Sequence, residues 1–72
     1  MDTNDKRANA FLEAAKVYCK AKGLDFDEEG LPGTLLNLMT DALHYASKAK
    51  ETVDLSEIAE LSADFFSKER LS

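Results

Sequence analysis

Apolar positions recur with a helical period in three stretches of this chain, and the densest lies in the middle. Leu35, Leu36, Leu38, Met39, Ala42, Leu43, Tyr45, Ala46 and Ala49 fill half of a wheel drawn at about 100° per residue. A surface helix carries a narrower stripe than that. The pattern predicts a central helix from about Thr34 to Lys50, opened by the start signal Leu31-Pro32-Gly33-Thr34 and buried from two sides as the hub of the fold. Asn37, Thr40, Asp41, His44, Ser47, Lys48 and Glu51 form its polar side.

The flanking stretches read as amphipathic helices. The first starts after Asn4-Asp5 and runs to about Lys22, where Gly23 occupies the usual stop position. Its apolar face is Ala8, Phe11, Leu12, Ala15, Tyr18 and Cys19. The last helix opens at Asp54. Asp54 with Glu57 has capping-box spacing, and Val53 with Ile58 has the spacing of a hydrophobic staple. Leu55, Ile58, Ala59, Ser62, Phe65 and Phe66 form its inner face, and it ends near Arg70. In the connector, Asp25 with Glu28 repeats the capping-box spacing. One short helical turn is expected from Phe26 to about Gly30, with Gly30, Pro32 and Gly33 breaking the chain and Phe26 plugging one end of the core. The fold class is therefore all-α: a small three-helix bundle with one extra short helical turn, in a single domain spanning residues 1–72.

The stretch Tyr18 to Glu28 is echoed by Tyr45 to Glu57, with two residues inserted in the second copy. Each is a helix ending in lysines, a short turn, and a capped helix start. Such chemistry repeats wherever helices do, and solenoids need at least three copies.

Size sharpens the picture. With 72 residues, the chain buries only about 60% of the surface it exposes when unfolded. Small domains close the resulting gap with disulfides, metals, partners or tight helix packing. One cysteine excludes an internal disulfide, and one cysteine with one histidine excludes the common zinc patterns. Packing and self-association remain, so a homodimer is an expectation. The 14 acidic and 9 basic residues give a net charge of −5. That argues against direct binding to nucleic acid or an anionic membrane and suits a protein partner with a basic surface. No stretch reaches spanning length. The polar start Met1 to Arg7 has no signal-peptide core, and the lone thiol fits a reducing cytoplasm.

Candidate chemistry is thin, and no catalytic, cofactor-binding or metal-binding residue is assigned. Cys19 falls on an inner face, where a thiol lacks the exposure a nucleophile needs. His44 falls on the polar side between Asp41 and Lys48 without the positioned partner that catalysis requires. Asp25, Asp27, Glu28 and Glu29 are bunched, interrupted by Phe26, and followed by a glycine in the wrong place for a calcium loop. The most suggestive feature is the outer side of the last helix. There Glu57, Glu60 and Asp64 project together, with Leu61 at their edge. This is either a solvated face or a docking stripe for a basic groove, which the connector acids would extend. Val17 and Leu61 stand apart from the inner faces of their helices.

The segment Leu35 to Ala46, followed by Val53-Asp54-Leu55 and then Ala63-Asp64-Phe65-Phe66-Ser67-Lys68-Glu69, resembles a pattern found in short helical proteins of bacteriophages and prophages. It covers roughly the second half of the chain. The departure falls at Lys50-Glu51-Thr52, where the pattern has a glycine-containing turn. The resemblance implies a mobile-element origin and carries no functional residues. The expected function is that of a non-enzymatic interaction module that binds and modulates a host protein, for example by inhibiting a defence or nucleic-acid enzyme. The alternative is a structural or regulatory homodimer.

Overall fold

The computed structural model describes residues 3–71; Met1 and Asp2 of the polar start lie outside the described residues. The protein is all-helical, with no strand among those residues. Three helices follow one another: α1 (Thr3–Ala21), α2 (Phe26–Ala49) and α3 (Leu55–Leu71). The chain divides into two compact units, Met1–Thr40 and Asp41–Ser72.

In the first unit, α1 carries Asp5 in its first turn and Lys20 in its last, each matched to the end of the helix dipole it sits on. It stops where the spacing places the stop. Gly23 has φ +74°, the N–H of Leu24 donates to the Cys19 carbonyl at 2.8 Å, and that of Gly23 donates to the Lys20 carbonyl at 3.1 Å. These two bonds are a Schellman motif, and a residue without Cβ enters its left-handed position free of strain. Two residues later Asp25 starts α2. Its Oδ1 accepts from the Asp27 N–H at 3.0 Å, and its carbonyl accepts from the Glu29 N–H at 2.9 Å.

The expected short turn then appears, but the chain breaks only once. Gly30 adopts φ 73°, ψ 171°, a region essentially restricted to glycine. The helix resumes at once, with Pro32 and Gly33 inside it, so it begins ahead of the expected Thr34. Proline is accommodated there because the first turn of a helix has no acceptor for its missing N–H.

The second unit repeats the stop-and-start device. The Glu51 N–H donates to the Ala46 carbonyl at 2.9 Å and the Lys50 N–H to the Ser47 carbonyl at 3.2 Å. Here the left-handed position is filled by Lys50, at φ 59°. Asp54 then caps α3: its Oδ1 accepts from the Glu57 N–H at 3.2 Å, and its carbonyl accepts from Ile58 at 3.1 Å. The echo between the two halves thus has a structural counterpart, with Cys19 and Ala46 as equivalent, buried positions.

Burial overturns the expected hub. Leu36 is 67% and Leu43 45% exposed, and Leu35 and Met39 also lie open. The better-covered stripe along α2 is instead Thr34, Asn37, Leu38 and Asp41, with Thr34 fully buried and the other three half-buried. Ala15, Cys19 and Ala46 are the other buried residues among those described. The physical reason is that short side chains hold the buried positions. Helices that meet through alanine, cysteine and threonine approach closely, and the longer leucines beside that contact stay at its margin. The inner face expected for α3 is likewise open: Leu55 is half-buried, while Ile58, Phe65 and Phe66 are exposed.

Candidate interaction surface

The surface of α3 is built from two sides of one helix. Glu57, Glu60 and Asp64 return to one side through spacings of three and four, and all three are exposed. Ile58, Phe65 and Phe66 lie on nearly the opposite side and are exposed as well. Leu61, at the margin of the acidic side, is also exposed. The Arg70 guanidinium stands 5.7 Å from the Phe66 ring centroid, a cation–π distance that partly covers that aromatic. This helix therefore offers a wet acidic side and a separate apolar side.

On α2 the apolar stripe of Leu35, Leu36, Met39 and Leu43 faces solvent. Thr40, beside it, has turned its hydroxyl back onto the Leu36 carbonyl at 2.8 Å, which removes one polar group from that surface. Hydroxyls bonded back in this way tend to bend helices.

The connector acids behave differently from one another. Asp25 is committed as a helix cap through the bonds above, whereas Asp27, Glu28 and Glu29 are exposed in the first turn of α2, where the dipole favours carboxylates. They belong to the first unit and the α3 acids to the second. Lys16, Lys20, Leu24, Asp25, Phe26 and Asp27 line an open groove of about 400 Å³. Phe26, expected as a plug for the core, is half-buried in that groove. Lys22 adds a cation 5.8 Å from the Tyr18 ring centroid.

His44 is exposed. Cys19 is a buried free thiol, as its place on the inner face predicts. No group of three or more His, Cys, Asp or Glu is arranged to hold a metal among the described residues. None of the described helices is long and apolar enough to cross a membrane. Sequence reasoning missed Thr34, which reads as part of a helix-start signal and proves to be the most deeply buried of the described residues. A small hydroxyl residue bordering a leucine-rich run is the only trace of that role in the sequence. No known protein family, curated protein or solved structure matches the chain.

Proposed function

We propose that this protein is a small interaction module of phage or prophage origin that binds and modulates a host protein with a basic surface, such as a defence or nucleic-acid enzyme. Its finer architecture in this reading is a three-helix bundle. The observation that carries the proposal is the exposure of Leu61 at the edge of a side formed by the exposed Glu57, Glu60 and Asp64. An apolar side chain bordered on one flank by like charges suits a pocket with a cationic edge. The apolar side chain supplies contact energy, and the carboxylates supply steering and selectivity. Open leucines on α2 support the same reading, because contiguous apolar surface on a small protein marks contact sites.

Capture from the native host with two baits tests this. The wild-type chain should retain a basic protein that the triple variant Glu57→Lys, Glu60→Lys, Asp64→Lys loses while keeping its far-ultraviolet circular dichroism. If every captured protein survives the charge reversal, the acidic side is only a solvated face.

A further inference from the structure

The turn between α2 and α3 differs from the turn after α1 in the one property that decides whether it can open. Residues 50–54, Lys-Glu-Thr-Val-Asp, contain neither glycine nor proline, so nothing in them forbids helix. The closed turn instead holds Lys50 at φ 59°, a left-handed conformation in which Cβ crowds the following carbonyl oxygen. The first turn has no such tension, since Gly23 fills the same position. Few side chains of the second unit are covered. Ala46 is its one buried residue among those described, and Leu43, Ile58, Leu61, Phe65 and Phe66 are all exposed.

We propose that α2 and α3 can merge into one continuous helix through residues 50–54, and that a second copy of this chain then docks in their place as a domain-swapped dimer. The occupant follows from the chain itself. When the turn opens, the surface that α3 leaves on the second half of α2 is complementary to α3, and a second copy supplies that same segment. Short connections under strain favour such exchange. Opening relaxes Lys50 and converts five turn residues into helix. It gives up the Schellman bonds of Lys50 and Glu51 and the Asp54 cap, which the new helical bonds replace. The inference is independent of any basic partner, because it uses only residues of the second unit.

Sedimentation equilibrium combined with circular dichroism across concentration tests it. Wild type should dimerise, and helicity should rise as it does. Lys50→Gly removes the strain from the closed turn and weakens the open helix. Two such positions act in each dimer, so this variant should dimerise at least about 25-fold more weakly, counting roughly a fivefold effect per residue from the closed turn alone. Lys50→Ala, which keeps a Cβ, should stay close to wild type. Thr52→Ala with Val53→Ala raises helix propensity in the turn and should strengthen dimerisation. The proposal is overturned if the Thr52/Val53 variant remains monomeric at every concentration. It is equally overturned if a dimer forms without gain of helix or with no response to Lys50→Gly.

Discussion

Cys19 Sγ and Thr34 Oγ1 lie 3.7 Å apart, and the two side chains are 1% and 0% exposed. A thiol and a hydroxyl therefore join the end of α1 to α2 where larger side chains do not fit. Each is the other's polar neighbour, and no buried side-chain nitrogen or oxygen is left unsatisfied among the described residues. Thr34→Val keeps the volume and removes the hydroxyl. It should cost less than about 1 kcal/mol, the net worth of an ordinary hydrogen bond, because a thiol is a weak donor and a weak acceptor. Thr34→Leu should cost more, about 1–3 kcal/mol, because it overfills a sealed site. Urea midpoints at constant slope measure both.

Exchanging the residues at the two helix stops should move stability in opposite directions. Lys50→Gly should stabilise the monomer by about 1 kcal/mol, and Gly23→Lys should destabilise it by a similar amount. Thermal unfolding at concentrations low enough to keep the chain monomeric isolates the effect. Equal and small shifts would show that left-handed geometry costs little at these positions.

The glycines of α2 should separate by conformation, although both have room for a methyl group. A Cβ at Gly33 would meet the Glu29 side chain, Oε2 at 3.6 Å and Cβ at 4.0 Å, and one at Gly30 would meet Pro32 Cδ at 3.9 Å. Gly33→Ala should stabilise by up to about 1 kcal/mol through helix propensity. Gly30→Ala should destabilise by about 1–3 kcal/mol, because φ 73°, ψ 171° strains any residue with a Cβ. Chemical denaturation of the pair settles the contrast.

Asp54→Ala should cost about 1 kcal/mol and Asp54→Asn only a fraction of that, since either side-chain oxygen can receive the Glu57 N–H. The loss should appear as reduced helicity at 222 nm and a lower melting temperature. An Asn variant as damaged as the Ala variant would move the origin of the effect from the hydrogen bond to the charge.

Local chemistry was legible in the sequence. Gly23, Asp25 and Asp54 mark stops and starts that depend on a side chain meeting its own neighbouring backbone, and such contacts need no tertiary information. The break at Gly30 was legible for the same reason, while the proline two residues later was over-read as a second break. The covered face of α2 was not legible. Of the positions that hydrophobic periodicity points to, Leu35, Leu36, Leu38, Met39, Ala42, Leu43, Tyr45, Ala46 and Ala49, Ala46 is buried, Leu38 is half-buried and the rest are exposed, while Thr34, Asn37 and Asp41 complete the covered stripe. Which of two adjoining stripes is covered depends on how closely neighbouring backbones approach. Small residues such as Cys19 and Thr34 set that distance, and they carry almost no weight in a hydropathy pattern. The acids singled out for partner binding are exposed, as their placement on polar sides predicts, and exposure alone assigns them no role.

The small-residue contact of the first unit has a kinetic consequence. Ala15, Cys19 and Thr34 shield backbone as well as side chains, whereas α3 has no fully covered position among residues 55–70. Amide protons should therefore leave the chain in two waves under deuterium exchange, early from residues 55–70 and late from the neighbourhoods of Cys19 and Thr34. A protease added under native conditions should follow the same order and trim from the carboxyl side first.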